Sequence, residues 1–99
     1  MTDVASDDAG GETGTVLVRY WAGARSAAGV AEETYAAPTT LDRLLAGMVT
    51  RHRDRPRLAD VVAICSVLVG DRPVGTSNPA TVVLRPGDTV EMLPPFAGG

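Results

Sequence analysis

A single apolar stripe with strand-like segments on both sides limits this chain more than any other feature. Leu41, Leu44, Leu45, Met48 and Val49 recur at i, i+3, i+4, i+7 and i+8, which is one face of an α-helix. Thr39-x-x-Asp42 just ahead has capping-box spacing, with a shorter acid than the usual glutamate. Pro56 reads as the stop. Gly47 within the stripe costs about 1 kcal/mol relative to alanine, so close packing against a sheet is expected there. One helix with one apolar face needs a sheet to cover it.

The flanking segments can supply that sheet. Thr15 to Trp21 is rich in β-branched and aromatic residues, as a strand should be. Alternation puts Val16, Val18 and Tyr20 on the inward face, and Leu17, Arg19 and Trp21 on the other. Ala22 to Ala28 is a short alanine-rich helix stopped by Gly29, and Glu32 to Ala36 is a second, shorter strand. Beyond the main helix, Ile64 to Val69 reads as a buried strand whose turn is Gly70-Asp71-Arg72-Pro73. Thr81 to Leu84 is another strand, and Arg85-Pro86-Gly87-Asp88 places proline and glycine at the centre of a type II turn. Thr89 to Leu93 is the last strand, with Val90 and Met92 inward and Leu93 outward, and Pro94-Pro95 ends it. The order predicts an α+β domain, one sheet of four to five strands on one main helix.

Composition removes most catalytic chemistries. All nine basic residues are arginine, so neither a phosphate-loop lysine nor a Schiff-base lysine is available. One cysteine forbids an internal disulfide, and with the single His52 it makes a zinc cluster untenable. No metal is expected. Residues 1–14 hold Asp3, Asp7, Asp8 and Glu12 without an arginine, and are expected to be a disordered acidic lead-in to a domain over 15–99. The remainder is close to neutral, which argues against nucleic acid as a ligand. The opening lacks a secretory pattern, and the near-apolar run Val61 to Val69 is too short to cross a bilayer. A cytoplasmic location away from the membrane is expected.

The far end is more informative. Gly98-Gly99 offers no side chain to obstruct a narrow channel and can adopt almost any backbone angle. Pro94-Pro95 stiffens the stem behind it, holding the terminal carboxylate away from the domain. The stretch Leu84-Arg-Pro-Gly-Asp-Thr-Val-Glu-Met-Leu-Pro-Pro-Phe-Ala-Gly-Gly99 resembles the end of the MoaD/ThiS ubiquitin-like sulfur carriers, most of all the molybdopterin synthase small subunits. Val16 to Gly29, with Tyr20-Trp-Ala-Gly-Ala-Arg25 and Ala27-Ala-Gly29, is similar to that family's first strand and short helix. The likeness covers nearly all of residues 15–99 and is weakest from Arg51 to Ser77. The acidic lead-in is additional, and Gly70-Asp71 stands where the family often has an Asn-containing turn.

The resemblance implies a β-grasp fold with a flexible tail over 96–99. It also implies a carrier whose Gly99 carboxylate is adenylated by an ATP-using activating enzyme and then converted to a thiocarboxylate. No cofactor would be bound stably. The implied partners are that activating enzyme and the large, catalytic subunit of molybdopterin synthase. The chain itself would be a non-catalytic, sulfur-donating subunit, in keeping with its few acid–base candidates. Carriers for thiamine thiazole or for cysteine biosynthesis are alternatives within the family, and the Pro94-Pro95-Phe96 stem is unlike their tails. A ubiquitin-like interaction module that is never activated is an alternative from another class.

Trp21, Leu93, Pro94, Pro95 and Phe96 are the expected partner-binding residues, an uncovered apolar face leading to the tail. The bland alternative is a loop lying over Trp21. Cys65 reads as a small buried hydrophobe among Val62, Ile64, Val67 and Leu68. His52 reads as a solvated residue favoured by the helix dipole. Arg51, Arg53, Arg55 and Arg57 read as a solvated helix end, the alternative being a patch for an acidic partner. Gly10-Gly11 with Gly14 is no dinucleotide loop, since no strand precedes it.

Overall fold

The computed structural model describes residues 13–95. The lead-in up to residue 12 and the tail residues Phe96 to Gly99 lie outside them. A five-stranded mixed sheet is built from β1 (Gly14–Tyr20), β2 (Glu32–Ala37), β4 (Ser66–Val69), β5 (Arg72–Pro73) and β7 (Thr89–Leu93), in the order β2-β1-β7-β4-β5. β1 and β7, the first and last strands, run parallel side by side, with Tyr20 level with Met92. β3 (Thr39–Thr40) and β6 (Val83–Leu84) form a separate antiparallel pair. The helices are α1 (Ala22–Ala28), α2 (Leu41–Arg51) and α3 (Arg57–Ile64).

The core is the meeting of two periodicities. Val16, Val18 and Tyr20 of β1 and Val90 and Met92 of β7 are buried, as alternation requires. Against them lie Leu41, Leu44 and Met48 of α2, Leu58 of α3, and Ala24 and Ala28 of α1. The small alanines let α1 sit close to the sheet and to α3. Gly29 ends α1 in the left-handed region at φ 81°, where glycine has no Cβ penalty, and its N–H bonds the Arg25 carbonyl at 2.9 Å. Gly87 does the same service in the turn before β7. Its φ is 92°, and Asp88 N–H reaches the Arg85 carbonyl at 3.0 Å, the geometry of the expected type II turn.

Several boundaries depart from the sequence reading. The first strand starts at Gly14 and stops at Tyr20, because Trp21 already caps α1 with its backbone. Thr39 is not the cap of α2, since it pairs with Leu84 in β3, and Thr40 occupies the cap position. Thr40 uses its hydroxyl to donate to Asp42 rather than to receive a backbone N–H. Pro56 does not stop α2, which has already ended at Arg51; it starts α3, where a missing N–H costs nothing. Ile64 closes α3 and is 61% exposed, so the strand begins only at Ser66, and it is half-buried rather than buried: Ser66 is exposed and Val67 to Val69 are partly covered. Arg72-Pro73 is the short strand β5, and only Gly70-Asp71 turns. Pro79–Thr81 forms a 3₁₀ turn, which shortens the Thr81–Leu84 strand to two residues. A Cβ on Gly47 would meet the Tyr35 ring at 3.7 Å, an ordinary contact, so close packing does not require glycine there.

Candidate functional site: the stem of the tail and the outer face of the sheet

β7 is the central strand, so the chain leaves the domain from the middle of the sheet. Leu93 ends the strand, Pro94 is half-buried and Pro95 is exposed. Neither proline can donate to a ladder, so pairing stops there. Phe96, Gly98 and Gly99, the rest of the expected site, lie outside the described residues.

Alternation sorts the sheet into a helix-covered face and an outer face. On the outer face stand Leu17 and Arg19 of β1, Leu68 of β4, and Thr89, Glu91 and Leu93 of β7. Trp21 joins them from just beyond β1. Its backbone is still extended (φ −116°, ψ 148°), and its N–H bonds the Met92 carbonyl at 3.2 Å, prolonging the parallel ladder by one step. Trp21 and Leu93 are therefore register neighbours, as the sequence reading placed them. Trp21 is 41% exposed, and no loop among the described residues hides it. Its indole Nε1–H donates to Glu91 Oε1 at 2.8 Å, while the Arg19 guanidinium lies 5.2 Å from the ring centroid. Arg19 also faces Glu32 Oε2 at 3.8 Å. Sequence reasoning placed Leu17 and Arg19 on this face with Trp21 but missed Leu68 and Glu91 as members of it. The same alternation that placed Leu93 would have found Glu91 and Leu68.

A second polar cluster lies on the helix side. Glu33 accepts from Tyr20 Oη at 2.6 Å and from Tyr35 Oη at 2.7 Å. His52 Nε2 faces its two oxygens at 2.9 and 2.8 Å, and must carry the proton because a carboxylate only accepts. Arg51 Nη1 adds an ion pair at 3.5 Å, donates to the Thr34 carbonyl and stacks over the Tyr35 ring. Burial would raise the Glu33 carboxyl, but the hydrogen bonds from Tyr20, Tyr35 and His52 outweigh it and hold it below the ordinary carboxylate value. The tyrosines answer in the opposite sense. Burial and Glu33 push Tyr35 up to about 12 and Tyr20 higher still. This arrangement locks β2, β1 and the end of α2 together, and it corrects the reading of His52 as a solvated residue. Cys65 is half-buried against the core, where burial pushes its thiol up to about 11. Among the described residues, no three His, Cys, Asp or Glu side chains gather as a metal set, and no helix is long and apolar enough to cross a membrane.

Comparison with known proteins agrees with this geometry. The ThiS family pattern matches residues 18–99. No curated protein sequence matches the chain significantly. Among solved structures, the small archaeal modifier protein 1 from Methanosarcina acetivorans superposes with a TM-score of 0.70 at 20% identity, covering 90% of this chain and 100% of that one. A putative molybdopterin converting factor subunit 1 from Pyrococcus furiosus gives 0.67 at 26% identity, with 84% and 99% covered. A complex of subunits 1 and 2 of molybdopterin-converting factor from Helicobacter pylori gives 0.55 at 22% identity, with 86% and 99% covered. The neighbours share the ubiquitin-like β-grasp architecture, a mixed sheet holding a main helix. With its family pattern running from the first strand through the terminal glycines, the chain belongs to the ThiS/MoaD family of ubiquitin-like sulfur carriers and modifiers.

Proposed function

We propose that the protein is the sulfur-carrier subunit of molybdopterin synthase. The observation that carries this reading is the stem Leu93-Pro94-Pro95, leaving the central strand beside a half-exposed tryptophan and ahead of Phe96-Ala-Gly-Gly99. The likeness to the Pyrococcus subunit 1, and the two-subunit complex from Helicobacter, support the same branch. In this reading the Gly99 carboxylate attacks the α-phosphorus of ATP in the activating enzyme, and pyrophosphate leaves. A sulfide equivalent then displaces AMP from the acyl carbon and leaves a thiocarboxylate. That sulfur is delivered in the large synthase subunit during molybdenum cofactor synthesis. A carboxylate is a poor electrophile until it carries a good leaving group, so activation belongs to the partner while this chain supplies reach and recognition. Trp21, Leu93, Pro94, Pro95 and Phe96 form the surface that docks on both partners and aims the tail.

The test is the intact mass after incubation with activating enzyme, ATP and a sulfur donor. Replacement of one oxygen by sulfur at Gly99 is expected, followed by molybdopterin formation once the large subunit and its precursor are added. A chain extended past Gly99 that still supports molybdopterin formation without being trimmed overturns the proposal. The modifier neighbour favours a second reading, in which Gly99 is joined to amines of other proteins. A Gly-Gly remnant on target lysines, without molybdopterin formation, is the outcome that selects it.

A further inference from the structure

We infer that Glu91 and Arg19 are positioning residues for Trp21, presenting the indole as a pre-set docking anchor rather than a side chain ordered on contact. This rests on the docking role proposed above for Trp21. The backbone of Trp21 is tied at both ends. Its N–H bonds Met92, and its carbonyl receives the N–H of Ala24 at 2.9 Å. Ala22 turns the chain into α1 at φ 48°, a left-handed angle uncommon outside glycine, so Trp21 stands at a sharp corner. The side chain is then fixed from two directions by residues of the same cross-strand row. Arg19 and Glu91 are paired in the β1–β7 register, one meeting the ring and the other the indole N–H.

An exposed indole would ordinarily sample several rotamers, and binding would have to freeze them. Holding one rotamer beforehand removes that cost, which is how rigid aromatic anchors gain affinity. The carboxylate that holds the ring lies on β7, two residues before Leu93 and three before the first stem proline. Anchor orientation and tail exit are thus referenced to one strand.

The chain has a single tryptophan, so its emission reports this site alone. Time-resolved anisotropy of free wild type, Glu91→Ala and Glu91→Gln is measured beside calorimetric binding to the purified large synthase subunit. Thermal melts of the same proteins check the fold. Glu91→Ala is expected to free the indole on the nanosecond scale and weaken binding roughly five- to tenfold. Glu91→Gln keeps an acceptor oxygen and should stay within about twofold of wild type in both readouts. Arg19→Ala is expected to show a smaller loss of the same kind. Equal loss in Glu91→Ala and Glu91→Gln would mean that the charge meets the partner directly, and the positioning role would be wrong. Wild-type binding by Glu91→Ala, while Trp21→Ala binds poorly, also overturns it and leaves the docking reading intact. Full binding by Trp21→Ala overturns the docking reading itself.

Discussion

Glu33 shows how one side chain on the inward face of an edge strand can take a structural task. Its side chain is only 12% exposed and receives Tyr20, Tyr35, His52 and Arg51. Glu33→Ala leaves buried donors without an acceptor and is expected to cost about 2 kcal/mol or more in chemical denaturation. The pH dependence follows from the lowered carboxyl. Its stabilisation is full above the unfolded value of 4.5 and drains away as pH falls through the lower folded value. Glu33→Gln should therefore start less stable at neutral pH and lose less on acidification, read as Tm between neutral and acid buffers. Cys65 gives a second residue-level expectation. With its thiol pushed up to about 11, it should react with a disulfide reagent at pH 8 at least roughly tenfold more slowly than free cysteine. In the tail, Gly98→Val should slow adenylation measured by pyrophosphate exchange while the melting temperature stays put, because a β-branched side chain widens and stiffens the terminus.

At the level of elements, legibility tracked the length of the periodic signal. β1, α2 and β7 were readable because each shows its period over five residues or more, and α1 because an alanine-rich run meets a glycine stop. α3 was not read, although Leu58, Val61, Val62 and Cys65 stand at i, i+3, i+4 and i+7 and all pack on the core. Its apolar stripe runs directly into β4, so the two periods merged into one apolar stretch, and the arginines before it resembled a frayed helix end. The two-residue strands β3, β5 and β6 are too short to show any period, and tertiary pairing alone makes them strands. The inward polar cluster stayed hidden because Glu33 breaks the apolar pattern that identifies a buried face. Two glycines separate by the same logic. Gly87→Ala should lose about 1 kcal/mol, since φ 92° is denied to a Cβ, whereas Gly47→Ala should gain up to about 1 kcal/mol from helix propensity. Paired urea melts of the two variants decide both.

Across the whole molecule, the domain and its tail divide the work. Among the described residues the buried set ends at Met92, and none after it belongs to the core. A chain ending at Pro95 is therefore expected to melt within a few degrees of the full protein and to give no thiocarboxylate. Differential scanning calorimetry beside intact-mass analysis makes that comparison. The outer face was legible from alternation as far as Trp21 and Leu93, and the terminal motif pointed to the tail.

The strand at the centre of the sheet is also the last in chain order among the described elements. Without β7, β1 lacks its parallel neighbour and β4 lacks its antiparallel one, so the sheet would be split into two halves. Pairing Leu17 with Thr89 joins segments far apart in sequence, the kind of non-local contact that slows folding. A chain released before residue 93 cannot complete the surface that Trp21 and Leu93 share. Length is thus checked by the fold itself: a chain cut short before β7 leaves the sheet open between β1 and β4.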